Sequence, residues 1–152
     1  MQSHVPTEGA PGLRKVHTSV DINAPAAVVW AVLSDVEAMP QWTKSMSNVR
    51  REDIGDFTVG STAVVTQPRL GTGRWTVTEC TPLRSFAWVV SRPGITTAGI
   101  HLLEPTPDGV KVTLTIEHRG PLAAVVALLT SPMTRRYIHM EAAGLKRQSE
   151  KV

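Results

Sequence analysis

The chain has 152 residues, of which 41% are hydrophobic and 19% charged, and its formal net charge is +3. That length supports one domain with a substantial core, burying about 68–70% of the unfolded surface, and the balance excludes an intrinsically disordered chain. Lys and Arg are scattered apart from the pairs Arg50-Arg51, Arg135-Arg136 and Lys146-Arg147, which read as solvated surface, so no nucleic-acid partner is expected. A lone cysteine, Cys80, excludes an internal disulfide and suits a reducing compartment. At the end of a strand pattern it reads as a small apolar residue. The longest apolar run, Leu122 to Leu129, is far short of the ~20 residues that span a bilayer. No integral membrane association is expected, and the expected location is cytoplasmic. The polar, Gly- and Pro-containing start reads as a flexible tail over residues 1–14, ahead of a single domain over 15–152.

In chain order, Lys15 to Ile22 alternates Val16, Thr18, Val20 and Ile22 against His17, Ser19 and Asp21, which predicts a strand with one buried face and an exposed His17. Asn23 is placed to cap a helix with Pro25 in its first turn. Val28, Val29, Val32 and Leu33 form that helix's apolar stripe, with Trp30 to one side. A second short helical turn, Val36 to Met39, is cut by Pro40, and Trp42 leads out of it. Six further strands are predicted: 47–52, 61–67, 74–80, 86–91, 96–103 and 110–119. Their breaks carry turn residues, among them Asp53-Ile54-Gly55-Asp56, Gly71-Thr72-Gly73, Arg92-Pro93-Gly94 and the run from Pro105 to Gly109. Loops this short imply an antiparallel meander, because parallel crossovers need a dozen residues or more.

Beyond Gly120-Pro121 the pattern is helical, with Leu122, Val125, Val126, Leu129, Met133, Tyr137, Met140 and Gly144 mostly three or four apart. That spacing predicts a buried stripe, so Leu129→Ala is expected to cost about 2–5 kcal/mol. Ser131-Pro132 predicts a kink or a restart. An antiparallel sheet with one apolar face needs a cover, and the last helix is the one element large enough. A strongly curved sheet closing on a helix leaves space between them, where small molecules bind.

Read together, these elements resemble the SRPBCC superfamily (START-like, helix-grip fold), and within it the bacterial polyketide cyclase/dehydrase-like group. The resemblance lies in Ile22-Asn23-Ala24-Pro25-Ala26-Ala27-Val28-Val29-Trp30, in the stretch from Leu33 to Trp42 with its Asp35, Pro40 and Trp42, in Trp75-Thr76-Val77-Thr78-Glu79, and in Gly144-Leu145-Lys146-Arg147. It covers about Val16 to Arg147 and implies an α+β helix-grip fold. In that fold a curved antiparallel β-sheet of about seven strands wraps a long C-terminal helix, with two short helices after strand one. It further implies a cavity for a hydrophobic small molecule, a lipid or a polyketide-like aromatic. The alternative is a cyclase or dehydratase that uses a pocket histidine for proton transfer, since such folds host carriers and enzymes alike.

Candidate site residues follow from strand parity. Trp75 runs with Val77 and Trp88 with Phe86 and Val90, which puts both on the apolar face. Plain core packing is the alternative for each. Trp42 follows the helix break, where the resemblance places the cavity rim. A tight turn at Asp108-Gly109 sets His101 opposite Ile116 and Leu103 opposite Leu114. His101 then shares the inward face with Val112, Leu114, Ile116 and His118, and a one-residue slip would invert this. An inward histidine is either a hydrogen-bonded core residue or a group that meets polar ligand atoms and moves a proton. With Met133 and Tyr137 from the helical stripe, the candidate ligand-binding set is Trp42, Trp75, Trp88, His101, Ile116, His118, Met133 and Tyr137. His101 is the lone catalytic candidate. Glu79 and Glu117 are the carboxylates open to an acid/base role, and Glu117, opposite in parity to Ile116, is expected in solvent. No metal-ligand spacing, serine elbow or phosphate loop occurs, so no metal and no cofactor is expected.

Overall fold

A computed structural model describes residues 14–151. The expected tail lies outside them except for Arg14, which opens strand β1 (Arg14–Ile22) rather than ending the tail. Helix α1 (Ala26–Ser34) follows, then a 3₁₀ segment (Val36–Gln41) that keeps Pro40 inside it. Strands β2 (Asn48–Arg51), β3 (Thr62–Gln67), β4 (Gly71–Thr81), β5 (Ser85–Arg92), β6 (Ile95–Thr106) and β7 (Gly109–Arg119) come next, and helix α2 (Ala123–Ser149) ends the described chain. The strands form one curved antiparallel 7-stranded sheet in the order β1-β7-β6-β5-β4-β3-β2. This is the expected helix-grip architecture: α1 and the 3₁₀ segment follow strand one and α2 lies across the concave face.

Local chemistry departs from the expectation in four places. Asn23 does not cap α1. Pro25 holds the N-cap position without a side-chain bond, and the Asn23 amide instead donates to Glu150 Oε2 at 2.8 Å. Gly71, Thr72 and Gly73 belong to β4, and the β3–β4 turn is Pro68-Arg69-Leu70, with Arg69 in the left-handed region at φ 68°. The β6–β7 turn centres on Pro107-Asp108, not Asp108-Gly109, because Thr106 pairs with Gly109. Proline's fixed φ suits the first central position of a tight turn. His101 therefore faces Leu114 rather than Ile116, and Leu103 faces Val112. The shift is two residues, so strand parity survives and His101 still points inward. Finally, α2 is one unbroken helix that carries Pro132 inside it, so the expected restart does not occur.

The larger correction concerns which face of α2 meets the sheet. Leu122, Val125 and Leu129 of the expected stripe are exposed, Leu129 by 75%, while Val126, Met133, Tyr137 and Met140 are half-buried. The buried positions are Ala123, Thr134, Ile138, Glu141, Ala142, Gly144, Leu145 and Ser149. The true inward face is thus rotated by about one residue, or 100°, from the expected one. Large aliphatic side chains marked the wrong face, because small and polar ones hold the inner one in the first half of the helix. In its second half Ile138, Ala142 and Leu145 close on the sheet and on α1. Gly144 lies against Trp42, where an added Cβ would meet the Trp42 carbonyl oxygen.

Candidate functional site, a cavity under the last helix

At the end of the sheet where α2 begins, the β3–β4 turn, the β5–β6 turn and the β7–α2 junction surround an opening. The Leu122 amide donates to the Gly94 carbonyl at 3.0 Å, and the Tyr137 hydroxyl donates to the Pro68 carbonyl, so α2 is tied to both turns. Between them a cavity of about 300 Å³ enters the molecule. It exists because Thr130 and Thr134, not leucines, face the sheet from this part of α2.

The sheet wall is aromatic and aliphatic. Trp75 and Trp88 lie 5.5 Å apart between ring centroids, and Phe86 packs edge-on to Trp88 at 5.5 Å. Trp88 lies flat across β6 because Gly99, its cross-strand neighbour, has no side chain; an added Cβ would come within 3.1 Å of Trp88 Nε1. Val90, Ile95, Ile116 and Val126 extend the apolar lining. Arg69 and Arg92 sit at the opening, and the Arg92 guanidinium donates to the Thr72 carbonyl at 3.4 Å.

Polar groups gather at two places on this wall. On the inner wall the His101 ring stacks on Phe86, 4.0 Å between centroids and 14° between planes. Its Nδ1 lies 3.2 Å from the Phe86 carbonyl oxygen. A carbonyl can only accept, so Nδ1 carries the proton and Nε2 is the free ring position. That Nε2 lies 3.4 Å from Glu141 Oε1, and both side chains are buried. A carboxylate oxygen and an imidazole nitrogen thus face each other on an otherwise apolar wall, near enough for a small shift to bring them into hydrogen-bond contact. Nearer the opening, His118 Nδ1 and Thr97 Oγ1 share a hydrogen bond of 2.8 Å. Burial pushes His118 below the ordinary histidine value, toward the neutral ring.

Of the candidates from the sequence, Trp75, Trp88, His101, Ile116, His118 and Tyr137 all line this cavity. Trp42 does not: it is 4% exposed in the core beneath the second half of α2, and its carbonyl accepts from Arg147 at 3.3 Å. Met133 does not either, because the helix is rotated away from the expected stripe. Glu79 stands away from the cavity on β4, and its Oε1 is buried without a partner. Glu117 points to the opposite face as expected, yet it is 1% exposed rather than solvated, with the Arg119 guanidinium 3.4 Å away. Parity fixes the face of a strand residue but not whether that face is covered.

Sequence reasoning missed Glu141, Arg69 and Arg92. Glu141 had a signal in the helical spacing of Thr134, Ile138, Glu141 and Leu145, but a carboxylate on an otherwise apolar stripe reads as a break. The two arginines sit in or beside turns, whose positions follow from the sheet and not from local pattern. Among the described residues no cluster of His, Cys, Asp and Glu could hold a metal ion, and no helix is long and apolar enough to cross a membrane.

Against known families, residues 14–150 match the model for polyketide cyclase / dehydrase and lipid transport. No match was found among curated proteins. Several solved structures share the fold. The Zhui aromatase/cyclase from Streptomyces sp. R1128 is 17% identical, with a TM-score of 0.74 over 91% of this chain and 94% of that one. The di-domain aromatase/cyclase StfQ of the steffimycin pathway is 10% identical, with a TM-score of 0.74 over 91% of this chain and 51% of its own. A truncated norcoclaurine synthase from Thalictrum flavum is 14% identical, with a TM-score of 0.67 over 92% and 95%.

Proposed function

The chain belongs to the polyketide cyclase / dehydrase and lipid transport family, and from that premise we propose that its cavity binds an apolar, oxygen-bearing ring molecule and that His101 and Glu141 move a proton on it. The observation that carries this reading is the buried pair, His101 Nε2 to Glu141 Oε1 at 3.4 Å on the cavity wall. An otherwise aromatic and aliphatic wall holds a flat apolar body by burial and stacking. A group able to accept a proton beside one able to give it is what elimination of water from a β-hydroxy ketone requires. With Nδ1 held on the Phe86 carbonyl, Nε2 takes the proton from the carbon next to the ketone. Glu141, protonated, gives its proton to the departing hydroxyl, which leaves as water while the carbon–carbon double bond forms. The proton then passes from Nε2 to the carboxylate and restores the pair.

The aromatase/cyclase neighbours support the substrate class by their names, and the flat tryptophan wall supports it by shape. 3-Hydroxy-1-tetralone is a direct probe, since loss of water gives fluorescent 1-naphthol. The wild-type chain is expected to accelerate naphthol formation over buffer. His101→Gln and Glu141→Gln should each lower that rate by about 10²–10⁴-fold, while quenching of Trp75 and Trp88 fluorescence by added 1-naphthol persists. No acceleration by the wild type, with naphthol binding intact, would sink the catalytic reading. It would leave a second one, a binding module for the same class of molecule, which the largely apolar wall favours.

A further inference from the structure

The first half of α2 is apolar on the side that faces away from the protein. Leu122, Val125, Leu128 and Leu129 are exposed by 45%, 53%, 79% and 75%. From Gly120 to Thr134 the chain carries no charged residue at all. A surface helix ordinarily turns charged residues outward, so four large aliphatic side chains on one outward face call for a partner. They stand at the rim of the cavity, since Val126 and Thr130 of the same turns line it and Leu122 rests on Gly94 of the β5–β6 turn.

Charge says what the partner is. The segments that form this end of the molecule, residues 67–72, 92–96 and 119–136, contain Arg69, Arg92, Arg119, Arg135 and Arg136 and no Asp or Glu, and the carboxylate next to them, Glu117, is buried against Arg119. Arg135 and Arg136 follow Leu128 and Leu129 by seven residues, two helical turns, and so continue the same face. Acidic residues collect at the opposite end, in Asp53 and Asp56 of the β2–β3 loop, Glu104 and Asp108 of the β6–β7 hairpin, and Glu150 at the foot of α2. Basic residues stand at that end too, among them Arg84, Lys111, Lys146 and Lys151, so it is mixed in charge, whereas the opening lies at an end that is both apolar and cationic.

We propose that this end docks on the surface of an anionic lipid bilayer, with Leu122, Val125, Leu128 and Leu129 entering the boundary between headgroups and acyl chains. The arginines meet lipid phosphates around them. An apolar face flanked by arginines has the composition of helices that lie in that boundary. Docked in this way, the opening meets the apolar layer, and a hydrophobic molecule passes into the cavity without crossing water.

Co-sedimentation of the full chain with vesicles tests this, using phosphatidylcholine alone and a mixture with phosphatidylglycerol. The chain should pellet with the mixture and far less with phosphatidylcholine alone. The double substitution Leu128→Glu, Leu129→Glu should lower the partition by about tenfold or more. Arg135→Ala, Arg136→Ala should lower it by about fivefold for each arginine. All four side chains are exposed, so the urea midpoints of both variants should match the wild type and exclude misfolding. A wild-type chain that stays in solution with both vesicles overturns the proposal, as does equal pelleting by the leucine variant. A dimer in light scattering that the leucine variant dissolves, without vesicle binding, assigns the face to a second copy and also overturns it.

Discussion

The two halves of α2 have opposite jobs and opposite compositions. The first, from Ala123 to Pro132, is the more apolar in sequence, yet it leaves most of its large side chains in solvent and turns Val126 and Thr130 to the cavity. The second, from Met133 to Ser149, carries Arg, Lys and Glu, yet it supplies the residues that close the core: Ile138, Ala142 and Leu145. Grip and cavity thus share one helix, overlapping from Thr134 to Glu141, where Thr134, Tyr137, Ile138 and Glu141 line the cavity from the second half. Burial tracks the volume that a side chain fills against the sheet, not the hydrophobicity of the segment that bears it. Where the helix places small residues inward, the curved sheet is left unfilled and a site opens.

Breaking the grip should give the largest effect. Leu145 is fully buried, so Leu145→Ala is expected to cost about 2–5 kcal/mol in urea denaturation. A cost under about 1 kcal/mol would mean that the second half of α2 is not the anchor. Next comes Gly144→Ala, because the new Cβ would run into the Trp42 carbonyl oxygen. Backbone must move to relieve it, at about 1–3 kcal/mol, and near-ultraviolet dichroism of the tryptophans should change with it.

At the cavity half the expected effect depends on pH. Burial holds the His118 pKa below its ordinary value of 6.5, so the unfolded chain binds the proton first as pH falls. Stability is therefore full above about pH 6.5, declines as the pH drops below it, and levels off beneath the folded-state pKa. His118→Gln should flatten that decline between pH 7 and 5 in urea midpoints, and an unchanged slope would place the titration elsewhere. The smallest effect belongs to Leu129→Ala on the outward face, expected within about 0.5 kcal/mol of wild type. A loss of several kcal/mol there would overturn the division of the helix.

The order of elements was legible from sequence because each strand carries its own two-residue alternation and each break its own turn chemistry. The inward direction of His101 was also legible. The turn was misplaced and the partner was Leu114 instead of Ile116, but an error of two residues leaves a strand side chain on its face. Helix α2 has no such protection, since an error of one residue there turns the face by about 100°. The spacing of the large aliphatic residues therefore points Met133 at the cavity and misses Glu141. Trp42, placed at the rim by resemblance, lies in the core because Gly144 brings the helix down upon it.

By itself the sequence determined the sheet, the order of the helices, and which strand residues look inward, all of which rest on interactions between near neighbours in the chain. Tertiary structure alone decided which face of α2 is buried, that His101 meets Glu141, and that Arg69 and Arg92 come together at the opening. Those outcomes depend on how a helix rolls and settles on a curved sheet, which is set by volume and fit between segments far apart in sequence.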